Sequence, residues 1–259
     1  MNILTFDIDD WFHTCKNRQQ YSGHIWEQLP SKVVENTDRI LDMLEKNGLK
    51  ATFFILGWVA KHHPELVKKI RSKGHEIGAH SFWHHNPHLI THSDFEKDLK
   101  LCLNVLQDIT GEKVKAFRAP GFNLNFNDHW AFEILFANGI TIDSSVKIKN
   151  PAEKIPVILE SEKYKIMEFP QLTTGIGLPF SGGGFFRAIP APVLNYLFKR
   201  HDYHLLYFHP RDFDPENPST NLFSFLRNRL NTYNTAKCMD KLEIFLQEHK
   251  TVTLCEAAK

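Results

Sequence analysis

Two histidines and a group of acids in this chain are residue types that hydrolytic metal sites use. His80 and His84 lie four apart in residues 80–84, HSFWH, and the acids lie in residues 5–10, TFDIDD. Residues four apart share one face of a helical turn, so both imidazoles could face one ion. Two neutral imidazoles and one carboxylate, with positions left for water and substrate, are typical of a hydrolytic metal centre.

The acids near the N-terminus offer both a metal ligand and a base. Such an ion could polarise a carbonyl and lower the pKa of bound water toward roughly 7. Asp7 and Asp9 are two residues apart, so in a strand both point to one face. One of them could bind the metal while the other takes a proton from the attacking water. Asp10 is a rival ligand that spacing cannot exclude.

Two further motifs could complete a catalytic site. Arg118, in residues 117–122 (FRAPGF), can pair with a carboxylate base, and the turn after it could offer N–H groups to an oxyanion. His209, in residues 207–212 (YFHPRD), could protonate a leaving nitrogen if an acid holds its imidazolium form. Asp143, at the end of another predicted strand, is the expected carboxylate partner of His209.

A third group of residues is predicted to contact the substrate. Residues 181–187, SGGGFFR, predict a flexible loop in which glycine lets a sugar approach the backbone and Phe185 stacks on its ring. Two tryptophans adjoin the predicted metal site. The predicted substrate-binding residues are Asp10, Trp11, Trp83, Pro120, Gly121, Phe122, Gly183 and Phe185.

Alternating strand and helix patterns predict the elements that position these residues. Apolar runs predict strands at residues 3–6, 51–56, 76–79, 114–118, 140–143, 166–169, 204–208 and 251–254. Strands that alternate with helices favour a mainly parallel sheet with helices outside. The predicted fold is α/β, a distorted (β/α) barrel of seven or eight mainly parallel strands. An open doubly wound sheet is the alternative, although no GxGxxG follows the first strand.

The predicted site residues all fall at or just after the C-terminal ends of predicted strands. In a parallel barrel these ends converge on one face, where active sites are built. Residues about 200 positions apart would then line one cleft. These residues are Asp7, Asp9, Asp10, His80, Arg118, Asp143 and His209.

Composition excludes several classes of function. The 259 residues carry a net charge of +1, which gives no reason to expect a nucleic-acid partner. No segment has the length and apolarity of a membrane span. The four cysteines form no CxxC pair, and Met1 runs almost directly into the acids, with no signal peptide. We expect one domain over residues 1–259 and a cytoplasmic location.

These motifs together resemble the polysaccharide deacetylases of the NodB-homology group. Residues 5–10 look like the family's first motif in a variant with spaced acids, and residues 80–84 match its H-[ST]-x-x-H metal motif. Residues 117–120, 143–145 and 208–210 are similar to its third, fourth and fifth motifs. The glycine-rich stretch also looks like a subfamily linked to exopolysaccharide and O-antigen gene clusters.

The resemblance implies a distorted (β/α) barrel that hydrolyses the N-acetyl group of an amino sugar. It implies a divalent metal, usually zinc, with Co²⁺, Ni²⁺, Mn²⁺ or Fe²⁺ as alternatives. In the family the third-motif arginine holds the catalytic base and the fifth-motif histidine is the general acid; these residues correspond to Arg118 and His209. We therefore expect Asp9, His80 and His84 to bind the metal and Asp7 to be the base. Two positions depart from the pattern: residues 147–148 stand where a tryptophan is expected, and Tyr207 replaces a leucine.

The expected function is therefore metal-dependent N-deacetylation during surface polysaccharide biosynthesis, such as O-antigen, capsule or exopolysaccharide. The expected partner is an N-acetylated amino sugar, carried by a nucleotide or a lipid if the enzyme works in the cytoplasm. One alternative is a related amidohydrolase that acts on a ureide or a formamide. Another is a carbohydrate-binding protein with a catalytically inactive barrel.

Overall fold

The computed structural model describes residues 1–14, 23–149, 154–174, 177, 179–216, 229 and 231–259. Its strands are β1 (Asn2–Ile8), β2 (Thr52–Ile55), β3 (Glu76–Ala79), β4 (Ala116–Phe117), β5 (Ile142–Asp143), β6 (Lys147–Ile148), β7 (Val157–Glu160), β8 (Lys165–Glu168), β9 (Gln171–Leu172) and β10 (His204–Phe208). Most of them are short and apolar, and β1, β2 and β10 are almost wholly buried. Buried apolar runs of this kind suit a sheet that is covered on both faces.

Eight of these strands form one curled sheet. Its order is β10-β1-β2-β3-β4-β5-β8-β7, and every neighbouring pair is parallel except the antiparallel β7 and β8. The short strands β6 and β9 pair with each other in parallel beside this sheet. The prediction of an α/β barrel with seven or eight mainly parallel strands is confirmed.

Helices lie between most of the parallel strands, as crossover connections require, and two more follow the last strand. They are α1 (Gly23–Trp26), α2 (Val33–Lys46), α3 (Gly57–His62), α4 (Pro64–Ser72), α5 (His92–Thr110), α6 (His129–Ala137), α7 (Gly183–Ala188), α8 (Ala191–Phe198), α9 (Cys238–Glu248) and α10 (Leu254–Ala257). Four short 3₁₀ turns, Trp11–Thr14, Pro87–Leu89, Pro210–Phe213 and Thr235–Lys237, lie in the loops. The helix α2 buries a stripe that includes Val33, Ile40 and Leu44, the spacing of an amphipathic helix on a core.

The core lies between the sheet and these helices and is rich in phenylalanine. Phe6 on β1 stacks on Phe53 of β2 with ring centroids 5.1 Å apart, and it packs against Phe208 of β10 at 6.0 Å. All three rings are fully buried. Aromatic pairs of this kind add to the stabilisation from burial alone. They hold three neighbouring strands together directly behind the predicted site.

Two sequence expectations about local structure are wrong. Residues 251–254 were expected to form a final strand, but only Val252 makes an isolated bridge and α10 begins at Leu254. Thr253 caps that helix and exchanges hydrogen bonds with Glu256, a capping box that the Thr-x-x-Glu spacing encodes. The glycine-rich residues 181–187 were expected to be a flexible loop, but most of them lie in α7.

The structure gives findings on cysteines and on membrane spans for the described residues. Cys102, Cys238 and Cys255 are free thiols, and Cys15 lies outside the described residues. Across the ranges that the structure describes, no helix combines the length and apolarity that crossing a bilayer requires.

Candidate active site

The C-terminal ends of the parallel strands lie level with one another. The last residues of β1, β2 and β3 pair in sequence, Ile8 with Ile55 and Ile55 with Ala79. The same edge continues through Phe117 to Asp143. Because the ends are level, residues that directly follow the strands become neighbours along one edge of the sheet. The convergence expected from the sequence is therefore present.

Asp9, His80 and His84 form a buried cluster at this edge. One possible ligand atom from each residue lies within 4.8 Å of the others. The Nδ1 atom of His80 donates to the backbone carbonyl of Arg118 at 2.8 Å, which leaves Nε2 as the nitrogen that can bind an ion. The structure thus places Asp9, and not Asp10, with the two histidines.

The cluster fits a divalent cation. Asp9 Oδ2 is buried and, among the described residues, has no well-aligned hydrogen bond, although His84 Nε2 lies 3.2 Å away. Burial would raise the pKa of Asp9, but Arg211 and the nearby histidines outweigh burial and hold the pKa well below its usual value. An ionised carboxylate and two imidazoles whose ligand atoms lie this close together are a donor set that suits a metal ion.

The segment that carries the two histidines is not a helical turn. Residues 80–84 form an irregular loop in which Ser81 and His84 have positive φ angles of 64° and 57°. Asp98, on α5, holds this loop because its carboxylate accepts from the backbone amides of Phe82 at 2.8 Å and Trp83 at 2.9 Å. The expectation of a shared helical face is wrong, but the loop still brings both imidazole rings to 5.2 Å between centroids.

Asp10 turns away from the cluster and caps a helix. Its Oδ2 accepts from Ser31 Oγ at 2.6 Å and from the amides of Lys32 and Val33 at the start of α2, and its Oδ1 accepts from the Trp11 amide. A carboxylate that satisfies the first amides of a helix is a capping group. This capping role accounts for both oxygens of Asp10, and its contact with substrate stays a prediction.

Arg118 holds Asp7 at the centre of the site. Its Nη1 donates to Asp7 Oδ1 at 2.6 Å and to Thr5 Oγ1 at 2.8 Å. The guanidinium is fully buried, and its central carbon lies 4.1 Å from the ring centroid of Phe54 and 4.7 Å from that of Phe122. Burial would raise the pKa of Asp7, but the charges of Arg118, His80 and His209 together outweigh burial and lower the pKa, so the carboxylate is ionised.

His209 faces Asp7 across the site, but its carboxylate partner is not the expected one. His209 Nε2 lies 3.9 Å from Asp7 Oδ2. Its Nδ1 lies 3.3 Å from Asp212 Oδ2, in the same 3₁₀ turn. The sequence analysis assigned Asp143 to this place, which is wrong. The three-residue spacing of His209 and Asp212 was a signal for this pair.

Asp143 belongs instead to a buried acid pair. Both its carboxyl group and that of Glu168, on β8, are fully buried, and the two share a hydrogen bond. Glu168 accepts from the amides of Ser145 at 3.2 Å and Val146 at 3.0 Å. Ser144, beside this pair, accepts from Arg118 through its backbone oxygen and its hydroxyl. The acid pair therefore lies behind Arg118 and supports the segment that holds it.

The acid pair predicts a pH-dependent stability difference in Glu168→Gln. Burial, followed by the Asp143 carboxylate, raises the pKa of Glu168 well above its usual value. When folding raises the pKa of a group, the protonated group stabilises the folded state. This stabilisation is fully present below the pKa that the group has in the unfolded chain, and it is lost as the pH rises through the pKa that the group has in the folded protein. Glutamine cannot ionise, so the stability of the variant relative to wild type should increase by about 1.4 kcal/mol per pH unit above roughly pH 4.3 until the folded pKa is reached. Urea denaturation at several pH values measures this difference.

The control for this experiment is Glu162→Gln, because Glu162 is exposed. Its stability curve should run parallel to that of wild type between pH 5 and pH 8. Parallel curves for Glu168→Gln as well would contradict a protonated, buried Glu168.

The predicted substrate contacts differ in how far they reach the site. Trp11 is buried, and its indole nitrogen donates to the Pro30 carbonyl at 3.0 Å, so its ring is a packing residue. Trp83 is half-buried and packs against the Phe82 ring. Gly183 is buried against Asp212. Substrate contact by Trp11, Trp83 and Gly183 stays a prediction.

The turn after Arg118 lies at the rim of the site. Pro120 and Phe122 are buried and Gly121 is exposed. The Phe122 amide already donates to the Ala119 carbonyl at 3.0 Å, so it is not available to an oxyanion. Phe185, on α7, is 36% exposed. Substrate contact stays a prediction for Pro120, Gly121, the Phe122 ring and Phe185.

One charged residue at the site was missed by the sequence analysis. Arg211 is mostly buried and pairs with Asp9 Oδ1. Its position two residues after His209 was the only signal. It leaves Oδ2 as the oxygen of Asp9 that faces His84.

Models of known protein families match both halves of the chain. A family model described as polysaccharide deacetylase matches residues 3–131, which contain Asp7, Asp9, His80, His84 and Arg118. Residues 3–131 are therefore similar to a polysaccharide deacetylase domain. A second family model, described as a domain of unknown function (DUF3473), matches residues 143–259, which supply His209 and Asp212.

Curated relatives share the deacetylase domain. A peptidoglycan-N-acetylglucosamine deacetylase of Bacillus cereus is 35% identical over 101 residues, which cover 39% of this chain and 37% of that protein. A peptidoglycan deacetylase of Helicobacter pylori is 31% identical over 108 residues, which cover 42% of this chain and 36% of that protein. The chain thus spans little more than a third of the length of these relatives.

Solved structures share the fold of the whole chain. The Bc1960 peptidoglycan N-acetylglucosamine deacetylase superposes with a TM-score of 0.57 at 17% identity, covering 98% of this chain and 86% of that one. A protein of Bacillus anthracis described as a family 4 carbohydrate esterase pseudoenzyme has a TM-score of 0.55 at 17% identity, covering 99% of this chain and 64% of that one. At these identities the likeness shows the fold alone. One protein with this fold is a pseudoenzyme, so the fold does not by itself establish catalytic activity, which depends on the side chains at the site.

Proposed function

We propose that this protein is a metal-dependent N-deacetylase that acts on an N-acetylated amino sugar. The observation that carries this proposal is the 3.9 Å separation of Asp7 Oδ2 and His209 Nε2 beside the Asp9, His80 and His84 cluster. A base, an acid and a cation site are the groups that amide hydrolysis needs. The match of residues 3–131 to polysaccharide deacetylases supports the amino sugar as the substrate class.

Asp9, His80 and His84 would hold the cation, for which we propose zinc. Two imidazoles and one carboxylate are a common ligand set for catalytic zinc, although Co²⁺, Ni²⁺, Mn²⁺ and Fe²⁺ accept similar ligands. When bound, a divalent cation polarises the carbonyl of the acetamide and makes water more acidic.

Asp7 is the proposed base. Arg118 occupies Asp7 Oδ1, so Oδ2 is the oxygen that accepts a proton from the attacking water. The lowered pKa keeps Asp7 ionised before the reaction. Arg118 is fixed on both sides by aromatic rings, so it holds the carboxylate in one orientation without approaching the substrate itself.

His209 is the proposed acid. Its side chain is 18% exposed, so a substrate can reach Nε2 while Nδ1 stays on Asp212. Attack on the acetamide carbon gives a tetrahedral species, and its C–N bond breaks when the nitrogen gains a proton from Nε2. The products are acetate and a free amino sugar. The positions of Asp7 and His209 on opposite sides of one gap allow the two proton transfers to occur on one bound molecule.

The glycan that carries the amino sugar is a finer part of this proposal. The named relatives act on peptidoglycan, whereas the glycine-rich stretch favours a surface polysaccharide such as O-antigen, capsule or exopolysaccharide. Beside the site, the Tyr207 ring packs edge-on against Phe122 at 4.8 Å, and Lys147 Nζ donates to the Gly121 carbonyl at 2.7 Å. These residues stand where the family pattern has other side chains, so we expect them to set the choice of sugar.

Acetate release from a substrate panel tests the proposed function. The zinc-loaded protein is incubated with peptidoglycan fragments, chitooligosaccharides, nucleotide-linked and lipid-linked N-acetyl amino sugars, a ureide and a formamide. We expect acetate and an equal amount of free amine from one of the amino sugars, and none after removal of metal by a chelator. Turnover of the ureide or formamide alone would instead favour a different amidohydrolase, and tight sugar binding without acetate would indicate a pseudoenzyme.

Two predictions from the sequence accompany this proposal. The cytoplasmic location stays a prediction, which cell fractionation with an antibody would test. The single domain over residues 1–259 also stays a prediction, although β10 of the second half pairs with β1 of the first half in one sheet.

A further inference from the structure

Asp212 is held in place by more than His209. Its Oδ2 accepts from the His209 amide at 2.8 Å and lies 3.3 Å from His209 Nδ1. Its Oδ1 accepts from Arg187 Nη2 at 3.1 Å. Both Asp212 and Arg187 are buried, with 4% of each residue exposed. The carboxylate therefore joins the imidazole to a second charged group that lies farther from the cleft.

Arg187 is itself fixed by backbone oxygens from two segments. Its Nε donates to the Gly183 carbonyl within α7 at 3.2 Å, and its Nη1 donates to the carbonyls of Asn231 and Tyr233. A buried guanidinium that has these partners and a carboxylate is fully satisfied. Loss of Asp212 would remove the opposite charge that lies against this buried guanidinium, which is costly.

The glycine-rich stretch makes this arrangement possible. A Cβ atom on Gly183 would lie 1.9 Å from Asp212 Oδ2, and one on Gly182 would lie 2.1 Å from the Tyr207 ring. Contacts under 3 Å to these atoms cannot be accommodated without movement of the site. The glycines therefore let the start of α7 lie directly against Asp212, and Arg187 is brought to the carboxylate from the same helix.

The partners of the imidazole define its proton positions. Burial alone would raise the pKa of Asp212, but the His209 hydrogen bond and charge, followed by Arg187, lower it to about 2. An ionised carboxylate can only accept, so Nδ1 of His209 is the donor to it. Nε2 is then the nitrogen that faces Asp7 and the cleft.

We propose that Asp212, buttressed by Arg187, is the positioning residue that orients His209 and stabilises its imidazolium form for proton donation. This inference rests on the proposed deacetylation, because it assigns the support of the acid in that reaction. It also gives residues 181–187 a structural role in the site, whereas the sequence predicts a loop that contacts the sugar. Neither Asp212 nor Arg187 contacts substrate in this proposal.

The test compares a poor and a good leaving group in Asp212→Asn. An amine must be protonated to leave, whereas 4-nitrophenolate leaves without a proton. We expect acetate release from the N-acetyl amino sugar to fall by about 100-fold or more in kcat, within the range that a general acid contributes. Hydrolysis of 4-nitrophenyl acetate should fall by less than about threefold, because its leaving group does not need the proton that a general acid supplies. Zinc content should equal that of wild type.

Asp214→Asn is the matched control. Asp214 is a buried carboxylate in the same loop, and its nearest cation is Lys32 at 3.4 Å. A purely structural effect lowers both activities by one factor, so this variant should show no leaving-group split. Arg187→Lys should show the same split as Asp212→Asn with a smaller size, and it covers the case in which Asp212→Asn fails to fold.

A spectroscopic measurement separates this inference from the proposed function. In ¹⁵N NMR of the metal-free protein, the neutral His209 ring should carry its proton on Nδ1 in wild type and lose this preference in Asp212→Asn or Arg187→Lys. An unchanged tautomer, or equal loss of both activities at full zinc content, overturns the positioning role. A changed tautomer in a protein that releases no acetate from any amino sugar would leave the positioning intact and refute the deacetylase proposal.

Discussion

Asp7→Asn should lower kcat for acetate release by about 10²–10⁴-fold, the range that a general base contributes. The amide of asparagine cannot accept the proton of the attacking water on a neutral nitrogen, whereas its oxygen can still accept from Arg118 Nη1 as Asp7 Oδ1 does. Zinc content, measured by plasma emission spectroscopy, should stay at one ion per chain, because Asp7 is not among the three clustered residues. The measurement is single-turnover acetate release from the best substrate of the panel.

The control for this variant is Asp108→Asn, since Asp108 is exposed on α5, far from the strand ends. It should keep wild-type turnover and zinc content. Wild-type turnover by Asp7→Asn would refute the base assignment. Loss of zinc together with turnover would instead place Asp7 among the metal ligands.

His80→Ala should abolish stoichiometric zinc binding. Removal of an outer partner of a metal ligand costs about 10–100-fold in affinity, so removal of a ligand should cost more than about 100-fold. His80 is buried and oriented by the Arg118 carbonyl, so no neighbouring group can take its place without movement of the backbone. Isothermal titration of the metal-free protein with zinc measures the affinity without any use of activity.

His75→Ala is the matched control, because His75 is also a buried histidine beside β3 but lies at the opposite end of the strand. Burial lowers the pKa of His75 to about 4, so it is neutral like a ligand histidine. Its variant should bind zinc with wild-type affinity. Equal zinc affinity in His80→Ala and wild type would remove the Asp9, His80 and His84 cluster as the metal site.

Several parts of the fold could be predicted because their signals are local. The runs at residues 76–79 and 204–208 coincide with β3 and β10. Strands β6, β7 and β9 were not predicted, because two-residue strands and a half-exposed antiparallel strand leave little pattern. The sequence did not predict that Asp10 accepts from the first amides of α2, since the residue that caps a helix can be distant from it in sequence.

The order of strands and polar residues along the chain is enough to predict which residue types meet at the site. Asp9, His80, Arg118 and His209 each follow a strand, and parallel strands whose ends are level must bring such residues to one edge. This holds whatever the loops do. It explains why the metal cluster was found even though residues 80–84 do not form the helical turn that was used to argue for it.

The role of each carboxylate, in contrast, depends on the folded arrangement of the chain. Asp9 and Asp10 are adjacent in sequence, yet one faces two histidines and the other caps a helix. Asp212, and not Asp143, supports His209, because α7 brings Arg187 against it while Glu168 engages Asp143. The role of a carboxylate depends on which donors and charges lie within about 3–4 Å of it. Those neighbours come from other segments of the chain, so spacing alone does not encode them.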